Sequence, residues 1–373
     1  MKKIGILTAG SDSPGLNAAI RAIGKTANNL FECELIGFQD GFQGLVEDRT
    51  LAIESAKLSG ILTSGGTMLG TSSDKPDQMD INGTFQDLTD QAVATYKKHH
   101  LDVLVCLGGN DTQEIVYKLS QKGLNIISLP KAINNDVVAT DMTIGFDTAM
   151  SVASEAIDRL HSTAYSHHRI IIVELMGHHA GWLTLGAGIA GGADVILIPE
   201  IPYDTKIIAD AILKRNAAGK RFSIVAVSEG ALTKETSQFH AENRSMNQRL
   251  RQGEEFSKAQ ERITEIENRY NDNTALLADR LNKFTGLVTR TTILGYLLRG
   301  GIPSAADRLL ATQLGSACAR MIQENHYGVM VAIQNGQMVP VPLGKVAGLY
   351  KLIPENHEWI ISARNVGTCF GDE

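Results

Sequence analysis

Ile4-Gly5-Ile6-Leu7-Thr8-Ala9 runs into Gly10-Ser11-Asp12-Ser13-Pro14-Gly15 and then into Leu16-Asn17-Ala18-Ala19-Ile20-Arg21. A continuous apolar run, a glycine-bearing loop and a helical pattern, in that order, make a strand–loop–helix unit. The run does not alternate polar with apolar residues, so it reads as a strand buried on both faces, of the kind found in parallel sheets covered by helices. The unit recurs where Leu101–Leu107 leads into Gly108-Gly109-Asn110-Asp111-Thr112 and then Glu114–Leu119. Further Val- and Ile-rich runs lie at 125–129, 169–175, 194–199, 222–227 and 291–297. Together they predict an α/β fold with mostly parallel sheets. Ligands of open α/β sheets gather at the carboxyl ends of the strands, where helix N-termini offer free N–H groups and a positive dipole end. Both glycine loops are therefore candidate phosphate cradles, although neither fits GxxxxGK[ST] or GxGxxG.

A chain of 373 residues exceeds the usual reach of one hydrophobic core, so two domains are expected. Hydrophobic residues at 43% and charged residues at 20% are the balance of a folded globular protein and exclude a disordered chain or a fibre. The net charge of −6 supplies no basic field, so neither nucleic acid nor membrane is expected as a partner, and a polyanion would need a local pocket. Cys33, Cys106, Cys318 and Cys369 are scattered, without CxxC pairs or metal-ligand spacing. They read as reduced thiols. The first apolar run stops at Gly10, too short for a signal core or a membrane span, and a cytoplasmic protein is expected. From about 234 to 273 the chain turns charged, with Phe256, Ala259, Ile263, Ile266 and Tyr270 spaced as a narrow helical stripe. This predicts a helical insertion.

Six motifs follow one another along the chain: Gly10–Asn17, Gly65-Gly66-Thr67-Met68-Leu69-Gly70, Gly108–Thr112, Pro130-Lys131-Ala132-Ile133-Asn134-Asn135-Asp136, Met176-Gly177-His178-His179-Ala180-Gly181 and Leu294–Gly301. In this order and spacing, the chain resembles the 6-phosphofructokinase family over nearly its whole length, the charged insertion excepted. The resemblance implies two three-layer domains. One, from 1–145 and about 300–350, would hold the phosphoryl donor; the other, from 146–299 and about 351–373, would hold the sugar phosphate. It implies phosphoryl transfer to the C1 hydroxyl of fructose 6-phosphate, assisted by Mg²⁺. A homodimer or homotetramer is implied too, because family cations matching Arg169 and Arg290 reach into the neighbouring subunit's site.

Carried over by position, the donor residues are Gly10, Ser11, Asp12, Ser73, Gly109, Asn110, Asp111 and Thr112, with Asn110 and Asp111 at the metal. Catalytic positions fall on Lys131, Asn134 and Asp136. Sugar-phosphate positions fall on Ala132, Arg169, Met176, Gly177, His178, Glu229, Arg290, Tyr296 and Arg299. Asp111, Lys131, His179-Ala180-Gly181-Trp182 and Tyr296 further resemble the pyrophosphate-dependent branch, in which a carboxylate at 111 fills nucleotide space and opposes an α-phosphate. Pyrophosphate is therefore expected ahead of ATP. Departures from the family pattern are equally specific. Asn110 and Asn134 stand where the family has aspartates, the second being its general base, and an amide does not take up a proton at useful pH. Ala132 replaces a threonine, His178 and Ser73 replace arginines, and Ser11 replaces a glycine. Two expectations follow: an active pyrophosphate-type kinase using Asp12, Asp111 or Asp136 instead, or a catalytically impaired paralogue that binds sugar phosphate as a sensor or regulatory subunit.

Overall fold

The computed structural model describes residues 1–238 and 273–373. The apolar stripe from Phe256 to Tyr270, and with it the expected insertion apart from its two ends, lies outside the described residues. In chain order the strands are β1 (Lys2–Thr8), β2 (Cys33–Phe38), β3 (Thr50–Ala52), β4 (Met79–Ile81), β5 (Thr84–Gln86), β6 (Val103–Gly108) and β7 (Ile126–Pro130). They continue as β8 (Ile170–Leu175), β9 (Val195–Leu197), β10 (Ser223–Ser228), β11 (Thr289–Ile293), β12 (Val329–Gln334) and β13 (Gln337–Pro342). The chain divides into two compact units, Met1–Ala149 with Tyr296–Lys351, and Met150–Gly295 with Leu352–Glu373.

The first unit holds a seven-stranded sheet in the order β13-β12-β7-β6-β1-β2-β3. Its five inner strands run parallel, and only the edges β3 and β13 are antiparallel to their neighbours. Ile4, Ile6, Val103, Val105 and Ile127 point to one face, where helices Leu16–Leu30 and Ala305–Gln323 cover them. Leu7, Leu104, Cys106 and Ile126 fill the other face. Helix Leu16–Leu30 buries Leu16, Ala19, Ile20, Ile23 and Ala27, a stripe at three- and four-residue spacing.

The second unit is built on a four-stranded parallel sheet in the order β11-β8-β10-β9. Ile170, Ile172, Val225 and Val227 pack beneath helices Thr205–Ala217 and Asn273–Thr285. The mixed α/β class with mostly parallel sheets is thus what the sequence predicts. β11 differs in position: it spans 289–293 where a run at 291–297 was expected, because the chain leaves the sheet at Leu294 and curls into a 3₁₀ turn over Gly295–Arg299. β2, β3, β12 and β13 add to the expected runs. The last two form an edge hairpin around Asn335 (φ 50°) and Gly336 (φ 77°), the left-handed pair that a two-residue turn requires.

Candidate active site

β1 and β6 are adjacent and parallel, with Thr8 opposite Leu107, so the loops leaving them lie side by side at the carboxyl edge of the first sheet. Gly10 N donates to Ser72 O at 2.8 Å, and Thr71 Oγ1 donates to Gly10 O at 2.6 Å, which ties the segment 71–72 to the first loop. From the second loop springs helix Asn110–Gln121, and no side chain caps its N-terminus. A Cβ on Gly108 would stand 2.1 Å from Thr112 Oγ1, so only glycine lets the loop close this tightly. Lys131, 4% exposed, donates its ammonium to Ser11 O. Burial, and next the charge of Arg299, push Lys131 down to about 8, while Asp12 and Asp136 pull the other way.

Asn134 and Asp136 lie on the turn that follows β7, and Asn110 opens the helix that follows β6. Asn110 Nδ2 donates to Asp136 O at 3.1 Å. That bond fixes which end of the amide faces the carbonyl, and it leaves Asn110 Oδ1 buried without a partner; Asn134 Oδ1 is in the same condition. Burial raises the Asp136 carboxyl from its ordinary value, against the pull of its own backbone N–H, Lys351, Lys131 and Asn110. Lys351 clamps the turn from outside: its N–H donates to Asp136 O at 2.8 Å and its ammonium to Thr140 O and Asp141 O at 3.0 and 2.9 Å. Ala132 O accepts from Thr143 Oγ1 at 2.5 Å. Arg299 stacks over the exposed Tyr296 ring at 5.0 Å and keeps a buried Nε without a partner. Asp111, expected beside a metal, pairs instead with Lys75 at 3.1 Å, and Ser73 lies exposed on the same segment.

In the second unit, Met176, Gly177 and Glu229 meet at the carboxyl ends of β8 and β10. Gly177 N donates to Glu229 Oε1 at 3.1 Å, Ser228 Oγ donates to Gly177 O at 2.5 Å, and Gly230 N donates to the same carbonyl at 3.2 Å. Exposed His178 follows, its ring set edge-on to His179 at 4.8 Å. Arg169 and Arg290 are not part of this group. Arg169 precedes β8 and Arg290 stands opposite Ile171, so both lie at the amino ends of strands about 20 Å long. A cavity of about 540 Å³ walled by Glu200, Lys234, Arg364 and Asp372 contains none of the expected residues.

The phosphofructokinase family model matches residues 3–322. The chain belongs to the phosphofructokinase family. It is 50% identical over 373 residues to the ATP-dependent 6-phosphofructokinase of Propionibacterium freudenreichii subsp. shermanii, covering 99% of each chain. It is 46% identical to the ATP-dependent 6-phosphofructokinase of Spirochaeta thermophila, covering 100% of this chain and 98% of that one. Among solved structures, the pyrophosphate-dependent phosphofructokinase of Marinobacter aquaeolei superposes with a TM-score of 0.76 over 100% of this chain and 93% of the other. At 19% identity that likeness speaks for the fold alone.

The family implies Mg²⁺. Among the described residues no group of three or more His, Cys, Asp or Glu stands close enough to hold a metal. What the site offers is the unpartnered Asn110 Oδ1 and the Asp136 carboxyl. Mg²⁺ takes oxygen ligands, commonly one or two from protein and the rest from water and phosphate. This donor set fits an ion that arrives with a phosphate donor. Residues that sequence reading did not single out are Lys75, Ser72, Lys351 and Ser228. Their signal is faint: Lys75 is an ordinary lysine two residues beyond Ser73, and its importance rests on a pairing across the fold. Among the described residues no helix is long and apolar enough to cross a membrane.

Proposed function

We propose that this chain transfers a phosphoryl group to the C1 hydroxyl of fructose 6-phosphate, the first unit holding the donor and the second the sugar phosphate. The observation that carries this reading is the buried Lys131 ammonium beside an uncapped helix N-terminus and a carboxyl raised by burial. Lys131 and the first N–H groups of helix Asn110–Gln121 oppose the negative charge of a polyphosphate. Asp136 takes the proton of the attacking hydroxyl, since the Asn134 amide does not; the hydroxyl oxygen bonds to phosphorus as the bond to the leaving phosphate breaks. A base with a raised pKa holds that proton better than an ordinary carboxylate. Mg²⁺, when bound with the donor, would neutralise charge on the transferred group, and Asn110 Oδ1 would hold it together with oxygens of the donor and water. Glu229, oriented by Gly177 N, accepts from sugar hydroxyls.

Pyrophosphate is the preferred donor in this proposal, because Asp111 sets a carboxylate in the first helical turn, where a nucleotide's α-phosphate would meet it. Arg169 and Arg290, at the far end of their sheet, serve the site of a second copy, which makes the working form a homodimer or homotetramer. Four cysteines outside any disulfide suit a reducing, cytoplasmic setting. A second reading, a paralogue that binds sugar phosphate without turning it over, is favoured by the unpartnered amide oxygens of Asn110 and Asn134 where the family has aspartates.

One set of measurements separates them. Phosphotransfer is assayed in both directions with pyrophosphate and with ATP, in Mg²⁺, on wild type and Asn134→Asp. Fructose 6-phosphate binding is followed by the fluorescence of the chain's two tryptophans, Trp182 and Trp359, whose rings lie 6.1 Å apart just beyond the Met176–Gly181 loop. Slow wild-type turnover that Asn134→Asp raises by roughly 10²-fold is the expected result. Tight sugar-phosphate binding with no turnover in either protein selects the second reading.

A further inference from the structure

The segment from Thr71 to Gln78 is strung between two anchors. At one end it bonds to the first glycine loop through Gly10 N and Thr71 Oγ1. At the other end Pro76 is buried, Asp77 Oδ2 accepts from Lys118 at 2.7 Å, and Lys75 reaches Asp111 at 3.1 Å. Asp111 and Lys118 both belong to helix Asn110–Gln121, so the segment lies along that helix and delivers the Lys75 ammonium to its N-terminal turn.

As a stability device this arrangement makes little sense. A cation is least favoured at a helix N-terminus, where the dipole end is itself positive. The Lys75 and Asp111 side chains are 35% and 64% exposed, and exposed pairs contribute little. As an anion site it is coherent. Lys75 joins the helix N–H groups and Lys131 around one loop cluster, and Asn110, only 7% exposed, keeps an oxygen without any partner, suited to the Mg²⁺ that travels with a phosphate donor. The cluster carries two ammonium groups for the anion and one unused acceptor for its metal ion.

We propose that Lys75 is a phosphate ligand for the donor and that Asp111 holds it over the helix N-terminus until the donor displaces the carboxylate. In the empty site the pair is neutral, so an arriving polyphosphate gains a lysine already in place. Once displaced, the Asp111 carboxylate repels further negative charge. A compact donor therefore keeps the full gain, and a longer one loses part of it. The proposal rests on the donor reading above. The chemistry recognised is a terminal polyphosphate, whether free pyrophosphate or the end of a nucleoside triphosphate.

Calorimetric titration of Mg-pyrophosphate and of MgATP into wild type, Lys75→Met, Lys75→Arg and Asp111→Asn tests it, with thermal melts run on each variant. Loss of a charge-assisted phosphate contact weakens binding by roughly tenfold or more in Lys75→Met, and Lys75→Arg stays within a few-fold of wild type. Asp111→Asn binds both donors more tightly than wild type, and MgATP gains the larger factor. Opposite directions for Lys75→Met and Asp111→Asn are the signature, because a pair that only staples the segment to the helix is broken equally by either change. Shifts in the same direction, or a Lys75→Met protein that binds like wild type, overturn the proposal and leave the donor reading standing. Wild type that binds neither donor overturns the donor reading and takes this proposal with it.

Discussion

Asn110 looks like a conservative loss of charge until its hydrogen bond is considered. The amide donates to Asp136 O at 3.1 Å, so an aspartate in the same rotamer would set an anionic oxygen against a carbonyl. Asn110→Asp is therefore expected to destabilise the first unit by about 1–3 kcal/mol through the lost bond and the new repulsion. At about 2–4 °C per kcal/mol for a unit of this size, calorimetry reads a drop of several degrees; an unchanged melting temperature would show that the turn tolerates the swap. Asn134→Asp meets no such carbonyl, but it sets a charge where Asn134 Oδ1 is buried without a partner, so it too should lower the melting temperature. Lys131 gives a pH dependence. An ordinary lysine titrates near 10.4, and this one at about 8. Between those values the unfolded chain holds a proton that the folded chain lacks, so the lysine's contribution to stability improves as pH rises through the window. Donor binding runs the other way, since it needs the ammonium. Pyrophosphate affinity should fall above pH 8 by up to about tenfold per pH unit. Lys351 titrates in the same range, so Lys131→Met is the control: a curve that stays just as steep in it assigns the effect elsewhere.

At the scale of elements, the loops leaving β8 and β10 act as one piece because Gly177 O accepts from both Ser228 Oγ and Gly230 N. Two substitutions probe that coupling at different strengths. Ser228→Ala removes one bond and should weaken fructose 6-phosphate binding a few-fold with a cost near 1 kcal/mol. Gly230→Ala puts a Cβ 2.0 Å from His178 O, which forces backbone apart. It should abolish sugar-phosphate binding outright; if Gly230→Ala binds as Ser228→Ala does, the loops are not coupled. β8 and β10 were legible in the sequence, and so were β1, β6 and β7, because strands buried on both faces are written as unbroken apolar runs. β12 and β13 were not singled out, although β12 carries the same kind of apolar run, Val329–Ile333, and Asn335-Gly336 is a local hairpin signal. The glycine loops and the turn after β7 were legible as motifs. Lys75, Lys351 and Ser228 were not, since each acts through a contact that no local pattern encodes.

For the whole molecule, the decisive placement is that of Arg169 and Arg290 at the amino edge of a sheet whose carboxyl edge carries Gly177 and Glu229. If those arginines serve a second copy, each site is assembled from two chains. Arg290→Ala and Glu229→Ala homo-oligomers should each bind fructose 6-phosphate poorly. Mixing the two and letting subunits exchange should restore a minority of intact sites, formed where an unaltered Arg290 meets an unaltered Glu229. No recovery on mixing, with exchange verified, would place both residues in the site of one chain.

The order in which the chain visits its two units has a consequence for biosynthesis. β12 and β13, and helix Ala305–Gln323 that covers Leu16–Leu30, come from residues beyond the four strands of the second unit. A ribosome making this protein therefore releases residues 1–149 long before their sheet can be finished. During that interval β7 is a bare strand edge and the helix Leu16–Leu30 lacks its cover, the condition in which nascent chains pair wrongly with one another. Each unit thus waits for a later piece of chain: the first is complete only once residues 296–351 have emerged, and the second only with Leu352–Glu373, the last stretch to be made.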